Sequence, residues 1–170
     1  MNRRIVFSLV FVVCAVLLAV AFYMEYVMLL DPCPLCWLQR YAFMAVGLVS
    51  LLAALHNPAG WGGRIYGLLM ALMSGAGLGL ASRQLWLQSL PADQVPSCGP
   101  SVDYLLDILP LREVLSIAIR GTGDCAEVLW RFLGLSIAGW TAIFFTLITV
   151  MGLAILVGAI RPSRRPELIG

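Results

Sequence analysis

Four long stretches of this chain carry almost no charge, and the polar residues gather between them. Ile5 to Met24 runs for twenty residues without an acid or a base. That is the length an α-helix needs to cross about 30 Å of hydrocarbon. Tyr41 to Leu55 is shorter, and reaches spanning length if its helix starts near Pro34 and carries Arg40 at the interface. Ile65 to Ser82 gives eighteen residues and ends at Arg83, and Phe132 to Ile160 gives twenty-nine, enough to tilt or to begin outside the hydrocarbon. The pattern predicts spans at about 5–30, 34–56, 65–88 and 132–160, with outer loops at about 31–40 and 89–131, in one membrane domain over 1–170.

The longer loop has a pattern of its own. Val102, Leu105, Leu106 and Leu109 repeat at helical spacing opposite Asp103 and Asp107, and after Pro110 the repeat resumes with Leu111, Val114, Leu115 and Ala118. Two short amphipathic helices follow, lying flat on the membrane surface or packing on the other helices. Gly121-Thr122-Gly123 reads as a flexible link. Asp124 and Glu127 fit a capping pattern that sets Cys125 at the start of a short helix. In the third span, Gly75, Gly77 and Gly79 alternate with small residues and predict close helix packing.

Composition strengthens the membrane reading. The chain is 61% hydrophobic and 12% charged, where soluble domains run near half and a quarter. All eleven cations are Arg and the net charge is +2, so there is no dense basic face for nucleic acid. With both termini cytoplasmic, Arg3, Arg4, Arg64, Arg161, Arg164 and Arg165 lie inside in short segments. The other five arginines, and eight of the nine acids, then lie outside. The density of inner Arg sets this orientation. Arg3, Arg4 and the small residues Ala19-Val20-Ala21 also fit a cleavable signal, but the apolar run continues to Met24, and a retained anchor is expected. The fold class is thus all-α, an integral membrane four-helix bundle.

The five cysteines sort by place. Cys14 falls mid-span and reads as a small packing residue. Cys33, Cys36, Cys98 and Cys125 all fall in the outer loops, and an even number of thiols on the oxidising side reads as two disulfides. Cys33-Pro34-Leu35-Cys36 closes a ring too small to add much stability, so it suits opening and closing. Cys33 caps the second span, Pro34 takes the first helical position, and the helix start favours a thiolate at Cys36. Arg40 follows one turn later and needs an anionic or polar partner at the membrane boundary, unless it snorkels as an anchor. Cys98 sits between Pro96-Ser97 and Gly99-Pro100 in exposed, extended chain suited to docking in another protein's groove. Against these stand a structural staple and a four-cysteine zinc site, the latter disfavoured by the wide Cys98–Cys125 spacing. No metal site is expected, and the lone His56 reads as solvent-facing.

Cys33-Pro34-Leu35-Cys36-Trp37-Leu38-Gln39-Arg40, the Trp86-Leu87-Gln88 run leading to Cys98, and Gly123-Asp124-Cys125-Ala126-Glu127 with Trp130 and Phe132-Leu133-Gly134 resemble the disulfide bond formation protein B (DsbB) family of bacterial inner membranes. The resemblance covers nearly the whole chain. It implies a thiol:quinone oxidoreductase with its active site on the periplasmic face, which reoxidises a DsbA-like thioredoxin-fold protein and passes electrons to ubiquinone or menaquinone. It implies redox disulfides Cys33–Cys36 and Cys98–Cys125. Cys98 would take the partner's thiolate, Cys125 would attack Cys33, Cys36 would face the quinone, and Arg40 would polarise a quinone carbonyl. Where some relatives carry a His near the quinone, this chain has Gln84 beside Arg83, so the resemblance assigns no residue to the quinone's second side. A partner near about −120 mV needs an acceptor of higher potential, which a lipid-dissolved quinone supplies. A vitamin-K-reductase-like protein running the relay toward reduction is the alternative enzyme, although those relatives place their CxxC late. A structural four-span protein with a stapled loop is the alternative of another class.

Overall fold

The computed structural model describes residues 2–58, 60–91, 93–99 and 102–160, so Arg161, Arg164 and Arg165 of the charge count lie outside the described residues. Four helices are long and apolar enough to cross a membrane: α1 (Arg3–Tyr26), α2 (Pro34–His56), α3 (Trp61–Gln88) and α6 (Ile137–Leu156). Between α3 and α6 come α4 (Val102–Ile108), α5 (Leu111–Arg120), a 3-10 turn at Gly123–Cys125 and a two-stranded hairpin of β1 (Arg131–Phe132) and β2 (Leu135–Ser136). The chain is therefore an all-α membrane four-helix bundle with a small β-hairpin added.

The ends of the helices follow local chemistry. α2 begins at Pro34, whose missing N–H costs nothing at the first helical position. It stops at Asn57, which adopts the left-handed conformation and donates its N–H to Ala53 O. α6 begins later than the apolar run predicts. Leu133 (φ 50°) and Gly134 (φ 81°) both turn left-handed, as a two-residue hairpin turn requires, and pair Phe132 with Leu135. Ser136 then caps α6, its hydroxyl accepting from Gly139 N–H at 3.3 Å and donating to Gln88 on α3 at 2.8 Å.

Within the four spans, buried contact follows the bundle axis. Val6, Phe7, Val10 and Cys14 form one stripe of α1, and Phe43 of α2 stacks on Phe145 of α6 with ring centroids 4.0 Å apart. Val12, Val16, Leu48, Leu72, Leu147 and Val150 point outward, an arrangement that lipid stabilises and water does not. Of the three alternating glycines, only Gly77 makes a close approach: a Cβ there would sit 2.4 Å from the Phe145 ring, while Gly75 and Gly79 face open space. The closest backbone crossing lies elsewhere, where a Cβ on Gly152 of α6 would come within 2.9 Å of Gly67 O on α3. Ser74 adds a hydroxyl contact to Thr149 at 2.9 Å.

The two ends of the bundle are tied differently. At one end the buried Arg3 donates to Ile160 O at 2.9 Å and to Gly60 O at 3.3 Å, so residue 3, the α2–α3 loop and the end of α6 meet. His56 is exposed there and shares a 2.6 Å hydrogen bond with Tyr66. At the other end α5 buries Val114 and Ala118 against the bundle and leaves Leu111, Leu115 and Ile119 exposed. Arg83 of α3 holds the end of α5 by donating to Arg120 O at 3.1 Å. The link at 121–123 is packed rather than flexible: Thr122 is buried, and a Cβ on Gly123 would meet Pro96 O at 2.5 Å.

Candidate functional site

The start of α2 has orphan backbone donors, and sulfur atoms take them. Cys33 stands at the N-cap in extended conformation, and its Sγ accepts from Cys36 N–H at 3.3 Å. The Cys33 and Cys36 sulfurs are 2.7 Å apart. Cys125 of the far loop packs against Leu35 in the same turn. Cys33, Leu35, Leu87 and Cys125 form one buried cluster. The loop is thus folded so that Cys125 meets Cys33.

Cys125 closes its 3-10 turn instead of opening a helix. The expected capping box does not form, because Asp124 turns its carboxylate to Thr122 Oγ1 at 3.1 Å and to Gly99 N–H at 3.4 Å. These bonds, with Gly123 N–H to Ser97 O at 3.1 Å, lay the extended Cys98 segment across the turn. Cys98 itself is exposed. The four sulfurs therefore divide: Cys33, Cys36 and Cys125 are gathered at the helix start, and Cys98 waits outside on the adjoining strand of chain.

Electrostatics separates the two loop cysteines. The hydrogen bond from Cys33, then the N–H groups of Leu35 and Thr122, bring the Cys125 thiol down from 9.0 to about 6, against the cost of burial. Cys33 shifts the opposite way, pushed up by donating to Cys125 and to Cys36 and by burial. The carboxylate of Asp124 raises the exposed Cys98 thiol.

Beside the sulfurs is a cavity of about 290 Å³. Leu17, Leu18 and Phe144 give it apolar walls, Cys36, Gln39, Arg40 and Gln84 line it beside the sulfurs, and Asp31, Asp124 and Glu127 add carboxylates from the loops. Arg40 lines it, and its charge is committed: the guanidinium pairs with Glu25, donates to Ala21 O at 3.0 Å, and lies 5.1 Å from the Phe22 ring and 5.3 Å from Trp37. Gln84, not Arg83, reaches the site. Its Nε2 lies 3.4 Å from both Cys33 Sγ and Cys36 Sγ, whereas Arg83 turns away onto Trp86 and Arg120 O. Behind Gln84 stand Gln39 and, from α6, Thr141.

Glu25, Gln39 and Thr141 carry no role in the sequence reading. Glu25 had a usable signal, since a cation at the membrane boundary demands a counter-charge and Glu25 is an acid at the end of the neighbouring span. Gln39 and Thr141 offered only their polarity inside apolar helices, and nothing in sequence spacing joins positions 39, 84 and 141.

Comparison with known proteins gives a consistent result. Residues 3–155 match the family described as Disulfide bond formation protein DsbB. The chain is 67% identical over 162 residues to Disulfide bond formation protein B of Marinobacter nauticus, covering 95% of this chain and 96% of that one. It is 52% identical over 153 residues to the protein of the same name from Nitrosococcus oceani, covering 90% of each, and 53% identical over 145 residues to that of Hahella chejuensis, covering 85% and 88%.

Proposed function

The chain belongs to the DsbB family, a multi-pass membrane oxidoreductase family of disulfide bond formation, and from that premise we propose that it oxidises a periplasmic DsbA-like dithiol and delivers the electrons to a membrane quinone. The observation that carries this reading is the contact of Cys125 with Cys33, which joins the loop's sulfurs to the helix's sulfurs.

The relay follows from the asymmetry of the thiols. With Cys98 and Cys125 joined, the exposed Cys98 is the sulfur that an incoming thiolate can reach. Attack there expels Cys125 as a thiolate, which the N–H groups of Leu35 and Thr122 favour. The partner is left bonded to Cys98, and the Cys125 thiolate already lies against Cys33. Its attack on Cys33 opens the Cys33–Cys36 disulfide and expels Cys36, whose sulfur has the Gln84 amide within 3.4 Å. The partner's second thiol then resolves the mixed disulfide at Cys98 and leaves oxidised, and the freed Cys98 thiolate attacks Cys125, which breaks the Cys33–Cys125 bond, restores Cys98–Cys125 and leaves both electrons on Cys33 and Cys36.

The cavity fits a quinone head group by volume and by its donors, with an apolar wall for an isoprenoid tail. Cys36, Arg40 and Gln84 would hold the head group there, and a quinone so held takes up two electrons and two protons. Arg40, balanced by Glu25, places a donor there without leaving a bare charge in lipid. This reading sets the cysteine end of the bundle at the periplasmic face of the bacterial inner membrane and both termini in the cytoplasm.

The purified protein in detergent, given a reduced thioredoxin-fold dithiol protein and a soluble ubiquinone analogue, is expected to bleach quinone absorbance in step with loss of partner thiols. Cys98→Ser should stop consumption of the partner. Retention of quinone absorbance with both cysteine pairs intact and oxidised would rule the proposal out.

A further inference from the structure

Two glutamines and a threonine in lipid-spanning helices need a reason, because buried amides are costly unless each is hydrogen-bonded. Gln39 and Gln84 are buried, at 3% and 4% exposure, and no buried side-chain polar atom among the described residues lacks a partner. The shorter bonds run in one direction, and only the longer contact of Cys36 Sγ to Gln84 Oε1, at 3.9 Å, runs against it. Thr141 Oγ1 donates to Gln39 Oε1 at 2.6 Å, Gln39 Nε2 donates to Gln84 Oε1 at 2.7 Å, and Gln84 Nε2 faces Cys33 Sγ and Cys36 Sγ at 3.4 Å. Three helices, α6, α2 and α3, each supply one member.

We propose that Thr141 and Gln39 are positioning residues that hold the Gln84 amide as a hydrogen-bond donor to the Cys33 and Cys36 sulfurs, and that this relay sets how strongly that pair oxidises. The inference rests on the redox role proposed above for Cys33 and Cys36.

An amide has a donor end and an acceptor end, and only the donor end favours a thiolate. Reversing Gln84 would place Oε1 against the sulfurs, where it serves a thiol but repels an anion. Gln84 is kept from reversing because Gln39 already donates to its Oε1. Gln39 is kept in turn by the Thr141 hydroxyl, whose 2.6 Å approach is shorter than its 3.0 Å contact to Ala138 O. Arg40 does not substitute, since its guanidinium is engaged by Glu25 and Ala21 O.

The redox consequence follows from the balance. When the Cys98 thiol and Cys125 thiolate reduce the Cys33–Cys36 disulfide, one S–S bond breaks and another forms, and two electrons pass. The products are the Cys98–Cys125 disulfide, a Cys33 thiol that takes the proton from Cys98, and a Cys36 thiolate. A donor on that thiolate stabilises the reduced form and makes the pair a stronger oxidant. Without the donor the pair is harder to reduce.

The test equilibrates the full-length protein, in quinone-free detergent, with dithiothreitol redox buffers. Thiols are trapped by alkylation, and peptide masses separate Cys33–Cys36 from Cys98–Cys125. Gln84→Met is expected to lower the equilibrium constant for reducing Cys33–Cys36 about tenfold, a fall of about 30 mV, and to leave Cys98–Cys125 unmoved. Thr141→Val should shift the same pair about threefold in the same direction, and Thr141→Ser, which keeps the hydroxyl, should restore it. Should Gln84→Met fail to fold, the Thr141 variants decide alone. Equal potentials in wild type, Thr141→Val and Thr141→Ser overturn the relay while leaving the proposed function in place. A wild-type protein in which Cys33–Cys36 never forms a disulfide overturns the proposed function, and the relay with it.

Discussion

Cys125 is buried against a thiol and two backbone N–H groups, whereas Cys98 is exposed beside the Asp124 carboxylate. The reduced protein is therefore expected to carry one loop thiolate at neutral pH, on Cys125. In a Cys36→Ser background, thiolate absorbance should rise with a midpoint near 6, and the added Cys125→Ser change should remove that step. The sign of the stability effect follows. A depressed thiol contributes stability fully present above its ordinary 9.0, and that stability is lost as pH falls through about 6. Glu25 and Arg40 make a second residue-scale prediction. Glu25→Gln leaves a cation without its counter-charge in an apolar wall and should cost about 3 kcal/mol, read as a lower midpoint of unfolding. A Glu25→Leu, Arg40→Leu double change should recover most of it. At this scale the nearness of Cys33, Cys36 and Arg40 was legible, because a CxxC at a helix start and a cation one turn on share a helix face. The amides of Gln39 and Gln84 were not, because their meaning lies in which atom faces which across three helices.

The helices place these residues, and their contacts can be tested one at a time. Gly77→Ala drives a methyl into the Phe145 ring and should destabilise the α3–α6 pair by about 2 kcal/mol. Gly75→Ala and Gly79→Ala, which meet open space, should leave the unfolding midpoint near that of wild type. Gly123→Ala pushes on Pro96 O and should lift the Cys98 segment from its turn, slowing partner oxidation without unfolding the four spans. The spans themselves were readable from charge-free runs, since hydrocarbon admits little else. Their ends were not. Phe132 to Ser136 is apolar enough to read as membrane helix, and only the left-handed Leu133 and Gly134 show that the chain first doubles back. Likewise, a glycine every second residue predicted three contacts where helical geometry turns one toward the partner.

At the scale of the whole molecule, Arg3, Gly60 and Ile160 meet at one end, and Cys33, Cys36, Cys98 and Cys125 lie at the other. An impermeant maleimide applied to intact cells after mild reduction is expected to label Cys98, whereas a cysteine placed at Asn57 should react only after lysis. Composition revealed the membrane, but not the cavity, which is lined by residues of all four spans and the hairpin. The Cys98 strand also gives the molecule a mechanical bias. Ser97 and Gly99 fasten it to the turn by one hydrogen bond each, on either side of the sulfur. Cys125 is anchored from within, by Leu35 and Thr122 of its surroundings. On the proposed relay, a partner drawing on Cys98 would loosen the outer thread by two hydrogen bonds and leave Cys125 packed at the start of α2.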